Sequence, residues 1–328
     1  MTVITVAHLA DILSAPHGIE QLIGPCGAGA VVVDVTDADD EAGHDLEALA
    51  ATTAGAAGVL VAIGSPHSAT AATFDVIVDD TAAADEIVRA FDRNPLAATA
   101  LAMLLRGGGR RTVADGLVAE SSTYSLLQAG PEHRAWLDSL SRKPREPDDR
   151  SPVRVEQHGR QLRITLARPQ KRNAYNAATR DALLDALAIA SSDPSIEVVI
   201  DGEGPSFCSG GDLDEFGTLA DPATAHVLRL ARSAARAVHT LAPRVTVHIH
   251  GTCIGAGIEL PAFAARVVAR EDATFALPEV SMGLVPGAGG TVSIPRRVGR
   301  HRAAWLALTG QAIDAPTALD WGLVDEIA

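Results

Sequence analysis

The chain has 328 residues, 47% hydrophobic, 21% charged and only 3% aromatic, which describes a globular protein whose core is built from small aliphatic side chains. Its formal charge of −14 is uneven: residues 1–150 hold 22 acidic and 10 basic residues, residues 151–328 hold 19 and 17, and no Lys or Arg precedes Arg89. That front half excludes a phosphate or nucleic-acid platform, so an anionic ligand is expected on the second half or on the basic end of the first.

In chain order, "GAVVVDVTDAD" and "AGVLVAIGSP" read as strands around a helix-like "HDLEALAATTAGA". Residues 81–140 are helical in pattern almost throughout. The charged, proline-rich "SRKPREPDDRSP" (141–152) reads as a linker. Beyond it, "RVEQHGRQLRITLARP" predicts two short strands about a glycine turn, and "NAATRDALLDALAIAS" a helix with Asn176 as N-cap. "IEVVIDGEG" predicts a buried strand. "DPATAHVLRLARSAARAVHTLAP" predicts one amphipathic helix opened by Asp-Pro and closed by Pro243. "VTVHIHG" is a further strand, with a helix expected through "ELPAFAARVV". Strands alternating with helices imply a mostly parallel α/β sheet with crossovers.

Cys26, Cys208 and Cys253 are scattered without disulfide or metal-ligand spacing, which suits reduced packing thiols in a cytoplasmic protein. No signal peptide is evident, and no apolar run reaches the roughly 20 residues that span a bilayer. His248 and His250 alternate on one strand face with no third ligand placed, so no metal site is expected. Ser121 and Ser122 lie in a helical run without the strand–elbow setting of a serine hydrolase.

The chemistry lies in two glycine turns. "GPSFCSGGDLDEF" and "HGTCIGAGIELPAF" both end a strand in glycines, which exposes backbone N–H groups. Brought together, they would give two donors for one developing oxyanion. The second turn carries Glu259 without a basic neighbour, and Glu279 recurs twenty residues later in "FALPEVSMGLVPGAGG". Taken alone, Glu259 reads equally as a carboxylate stabilised at a helix N-terminus and Glu279 as a turn residue after Pro278.

The succession "SFCSGGDL", "GTCIGAGIELPAF", "FALPEVSMGLVPGAGGT" and "ALTGQAIDAPTALDWGLVDEI", preceded by "LARPQKRNAYNAATRDALLDAL", resembles the crotonase (enoyl-CoA hydratase/isomerase) superfamily over about residues 153–328. The resemblance implies a ββα superhelix and a trimer or dimer of trimers. It implies an acyl-CoA thioester as substrate, with no separate cofactor. By motif match, the Ser209 and Ala256 amides would hold the thioester oxygen. Glu259 would lie beside the attacking water, Glu279 beside Cα, and Gly287 would shape the same pocket. Arg168, Lys171 and Arg172 would meet the CoA phosphates, with Ala174, Gly210, Gly211, Asp212 and Gly255 lining the substrate path. Both glutamates together mark the hydratase branch. A double-bond isomerase, which needs one base and no bound water, is the alternative within the fold. A non-catalytic acyl-CoA-binding or assembly partner is the alternative outside it.

Three features depart from the family pattern. Gly255-Ala256-Gly257 stands where three glycines are frequent. The chain stops at "WGLVDEIA", where relatives continue into helices. The front half has no counterpart. Yet "AADEIVRAFDRNPLAATALAMLLRGGGRRTVADGLVAESSTYSLLQAGPEHRAWLDSLSRKP" resembles those missing helices. The expected division is therefore a degenerate α/β region (1–80), a helical segment like the family's C-terminal helices (81–145) and a catalytic core (146–328). Arg142 and Lys143 would then approach a CoA phosphate.

Overall fold

The computed structural model describes residues 2–15, 18, 29–36, 46–141, 150–219 and 221–328. Cys26, Arg142 and Lys143 lie outside them.

Four short strands, β1 (Val3–Thr5), β2 (Ala30–Asp34), β3 (Val59–Ile63) and β4 (Val76–Val78), form a parallel sheet in that order. Every residue of β3 is buried, as a parallel strand covered on both faces requires. Its pleat divides two environments. Leu60 and Ala62 pack with Leu9 of helix α1 (Val6–Ser14), Leu49 of α2 (Leu46–Ala54) and Phe74 in a small local core. Val59, Val61 and Ile63 face the other way and join the main core of the molecule.

Four helices follow. α3 (Thr81–Arg93) is capped by Asp80, whose side chain accepts from Ala83 N, and α4 (Pro95–Arg106) opens on proline. α5 (Val113–Gln128) is capped by Thr112 accepting from Asp115 N, and α6 (Pro131–Ser139) again opens on proline. The apolar residues of α3–α5 belong to one continuous cluster that runs through Leu101, Leu117, Leu162, Val247 and Leu284 to Val324. The helices therefore share the core of the second half and have none of their own.

In that half, β5 (Val153–His158) and β6 (Gln161–Leu166) make the expected hairpin, with Gly159 at φ 60°. Helix α7 (Ala177–Ser192) starts at Asn176, whose Oδ1 accepts from Thr179 N at 2.9 Å. Strands β7 (Glu197–Gly202), β8 (Val245–Ile249), β10 (Arg266–Ala269) and β13 (Glu326–Ile327) complete a six-stranded sheet in the order β13-β10-β8-β7-β6-β5. The chain leaves this sheet after β8 and again after β10 to lay β9 (Thr252–Ile254) and β11 (Thr274–Ala276) side by side, with β12 (Ile313–Asp314) on β11. Each strand pair thus bridges two sheets, the ββα superhelix that the resemblance implied.

Two elements differ from the sequence reading. The single helix expected from Asp221 to Pro243 is two, α8 (Pro222–Ala231) and α9 (Ala234–Leu241). Arg232 leaves helical geometry at φ −113°, ψ 50°, and Ser233 recaps the chain by accepting from Arg236 N. The helix expected through "ELPAFAARVV" is a single turn, α10 (Ala256–Glu259), and a 3₁₀ turn at Pro261–Phe263; the chain then becomes strand β10. Arg266 to Ala269 pair with β8, where β-branched valines fit a pleated surface better than a helix. Three further helices, α11 (Gly290–Val298), α12 (Arg300–Thr309) and α13 (Ala315–Trp321), follow.

Candidate active site

After β9 the chain turns at Gly255 (φ 50°, ψ −120°), a conformation that side chains with a Cβ avoid. The position is crowded as well as strained. A Cβ there would collide with Glu279 Oε1 and lie 3.6 Å from Glu259 Oε1. The two glutamates, twenty residues apart in sequence, therefore converge on one point. The Ala256 amide lies immediately beyond it and donates to no group among the described residues.

Glu259 is 2% exposed. Its Oε2 accepts from the Ala288 and Gly290 amides at 2.7 and 2.8 Å, which leaves Oε1 facing Glu279. Burial raises its carboxyl to about 7, against the opposing pull of those two donors. Glu279 is less well supported: its Oε2 is buried without a hydrogen-bond partner. Burial first, and the neighbouring Glu259 second, push it well above the carboxylate range. No Lys or Arg contacts either carboxyl among the described residues.

The sequence reading missed a third acid. Glu120 of α5, also 2% exposed, accepts from Gly289 N at 2.7 Å, Thr291 N at 2.9 Å and Thr291 Oγ1 at 2.7 Å. Burial, and then Glu259, raise it to about 8. One turn further along α5, the Tyr124 ring packs onto Gly287, where a Cβ would overlap it. Arg229 of α8 covers that ring at 4.6 Å and also bonds Ser121 and Gln128. Gly116 lets α5 close in, since a Cβ there would lie 2.9 Å from Val292 Cγ2 of α11. The only sequence signal for Glu120 was its place in "GLVAESSTYSLL", the fragment that resembles the family's tail.

A cavity of about 260 Å³ holds these groups, lined among others by Glu120, Tyr124, Ala256, Glu259, Glu279 and Gly287. A second, of about 450 Å³, shares Gly211, Asp212, Phe216 and Glu279 with the first and continues to Lys171, Arg172, Ala174, Ser209 and Gly210. Gly255 lies at the junction through its contact with Glu279.

Two expectations require correction. The Ser209 amide already donates to the Arg172 carbonyl at 3.0 Å and so is not a ready oxyanion donor as Ala256 N is. Arg168 does not reach for phosphate. It is 8% exposed, and its guanidinium bonds Asp212 Oδ2 at 3.0 Å and the Ala174 carbonyl at 2.7 Å. That pair fixes Asp212 and the 172–175 segment against the 209–212 turn. Lys171 is half-exposed with Nζ 3.0 Å from Asp214, and Arg172 is exposed beside it. These two cations remain on the second cavity.

Comparison with known proteins places the catalytic half in a family. Residues 157–328 match the family described as enoyl-CoA hydratase/isomerase. The 2,3-dehydroadipyl-CoA hydratase of Escherichia coli is 38% identical over 53% of this chain and 68% of its own length. The mevalonyl-coenzyme A hydratase of Aspergillus fumigatus is 34% identical over 51% of this chain, and the match spans 62% of that protein. The crystal structure of enoyl-CoA hydratase from Thermoplasma volcanium superposes with a TM-score of 0.51 at 35% identity, over 55% of this chain and 72% of that one. With that family match over just more than half its residues, on a fold whose two glutamates meet at one cavity, the chain belongs to the enoyl-CoA hydratase/isomerase family of enzymes.

Proposed function

We propose that the protein adds water reversibly across the double bond of a 2-enoyl-CoA thioester. The observation that carries this reading is the convergence of two buried, cation-free carboxyls beside the unengaged Ala256 amide. A conjugated thioester becomes electrophilic at Cβ when charge collects on its carbonyl oxygen. Ala256 N–H is one donor for that charge. Each such donor is worth about 100- to 1000-fold in rate.

The different surroundings of the two glutamates divide their labour. Two amides favour ionised Glu259, whereas Glu279 has one oxygen, Oε2, buried without a partner and is pushed up further by the Glu259 charge. Glu259 therefore takes a proton from water as its oxygen bonds Cβ, and Glu279 delivers a proton to Cα. Return of the proton from Glu259 to Glu279, whose Oε1 atoms face the same point, restores the starting state. Lys171 and Arg172 would meet the CoA phosphates, and the thioester needs no separate cofactor. Residues 81–145 act in this reading as the family's closing helices placed ahead of the catalytic core. The support is that α5 lays Glu120 and Tyr124 along the cavity wall. The assembly is a homotrimer or dimer of trimers, to be checked by sedimentation.

The test is loss of enoyl absorbance on adding the protein to crotonyl-CoA. Wild type should hydrate it, and Glu259→Gln and Glu279→Gln should each lower turnover by about 100-fold or more. Double-bond migration without water addition would convert the reading to an isomerase. Binding of crotonyl-CoA by wild type with no turnover would leave an acyl-CoA-binding protein.

A further inference from the structure

The first cavity is lined by three guanidiniums that the hydration chemistry leaves unused: Arg180 of α7, Arg229 of α8 and Arg232 between α8 and α9. None of them lines the second cavity, where Lys171 and Arg172 stand, while Glu279 lines both. Each cavity therefore has its own cations, with the reacting centre where the two meet. We propose, resting on the hydratase reading, that Arg229, together with Arg180 and Arg232, receives a carboxylate at the far end of the acyl chain, so that the preferred substrate is the CoA monothioester of a 2-unsaturated dicarboxylic acid.

The charges in this wall do not cancel. Arg180 and Arg232 share one acceptor, Asp181 Oδ1, at 2.8 and 3.0 Å. Arg229 makes no ion pair among the described residues. It donates to the Ser121 hydroxyl and carbonyl, to Ser125 Oγ and to Gln128 Oε1, all of them neutral. Other carboxyls on the cavity are engaged elsewhere: Asp212 by Arg168, Glu215 by the Ala177 amide and Glu259 by two backbone amides. Glu120, raised to about 8, is largely protonated at neutral pH and gives Arg229 little counter-charge. A half-buried guanidinium without a counter-ion is costly, and an incoming carboxylate supplies one. The four acceptors leave an Nη1 donor of Arg229 open, and rotation of the half-buried Gln128 side chain would free the other. Stacking on the Tyr124 ring at 4.6 Å holds the guanidinium in place beforehand. Leu117, Leu230 and Leu260 line the same cavity and offer an apolar wall to the methylenes between thioester and carboxylate.

The experiment compares hydration, by the full-length protein, of six- and eight-carbon 2-enoyl-CoA esters ending in a methyl group with the same chains ending in a carboxylate. In wild type, kcat/KM should favour the carboxylate esters by about ten-fold or more, the worth of one charge-assisted hydrogen bond. In Arg229→Met that ratio should collapse towards one, and Arg232→Gln should lower it by less. A wild-type ratio at or below one overturns the proposal, whether or not the variants fold. So does a ratio that survives Arg229→Met. Titration calorimetry with the corresponding saturated esters needs no turnover and should show the same preference for the carboxylate. That preference in binding, with no ester hydrated, would refute the hydratase reading alone; hydration without it would refute this proposal alone. Free CoA tests the other source of anionic oxygen. A loss of free-CoA affinity in Arg229→Met as large as the loss for the carboxylate ester would assign the arginine to a CoA phosphate and overturn the proposal.

Discussion

The molecule buries acids in two ways. In the front sheet, Asp75 is 3% exposed and is gripped by Arg106, Nε to Oδ1 at 2.7 Å and Nη2 to Oδ2 at 2.6 Å, with the Leu60 amide on Oδ2 at 2.8 Å. Arg106 also ties the Ala56 and Gly58 carbonyls. Every oxygen there has a fixed partner, and the charges cancel within the pair. Around the cavity, Glu120 and Glu259 are just as enclosed, and Glu279 is partly so, but they receive backbone amides, one hydroxyl or, at Glu279 Oε2, nothing. A carboxyl neutralised by an arginine holds a fold together but has lost its use as an acid. A carboxyl desolvated without a cation is poised near neutrality and can exchange protons. Burial is common to both regions; the cation separates structure from chemistry.

That contrast breaks most visibly at the cavity. Glu259→Gln and Glu279→Gln should each lower kcat for crotonyl-CoA hydration by about 100- to 10,000-fold, with little change in the urea midpoint. Arg106→Met should do the reverse. It leaves buried Asp75 only its longer ion pair with Arg300 at 3.9 Å and should remove about 3 kcal/mol of stability in urea titration, while the pH optimum of the surviving fold stays where it was. The pH profile sharpens the contrast further. Hydration requires Glu259 ionised and Glu279 protonated, so kcat should rise through about pH 7 and fall again above it. Stability should run the other way. Glu259 and Glu120 are raised by folding from 4.5 to about 7 and about 8. Their contribution is therefore full below the ordinary carboxylate range and is lost as pH rises through 7 to 8. Melting temperatures measured between pH 5 and 8.5 should decline, and less steeply in Glu120→Gln. The smallest effect is expected at Arg172→Ala, an exposed cation, which should raise KM for a CoA ester about two- to five-fold.

Much of the catalytic half was legible because its signals are local. Asn176 caps where a helix must begin, the β-branched run around Val198–Ile200 makes a strand, and the spacing of Glu259 and Glu279 in glycine turns carries the site. The failures have physical reasons. Ser233 offered a second cap inside an uninterrupted amphipathic pattern, and the valines of "AARVV" could not be assigned to strand without knowing that β8 lay beside them. Arg168 looked like a phosphate ligand because cations are usually exposed; its pairing with Asp212, 44 residues away, is tertiary information. Glu120 was invisible for the same reason, since its partners lie 169 and 171 residues further along the chain.

That last separation has a consequence for how the protein matures. Helix α5 leaves the ribosome long before the 288–291 turn exists, so its buried acid must pass most of synthesis hydrated and unpaired. Closing a contact of such sequence span is entropically demanding and slow. The catalytic centre should accordingly be among the last features to lock during folding, behind the strands and helices that surround it.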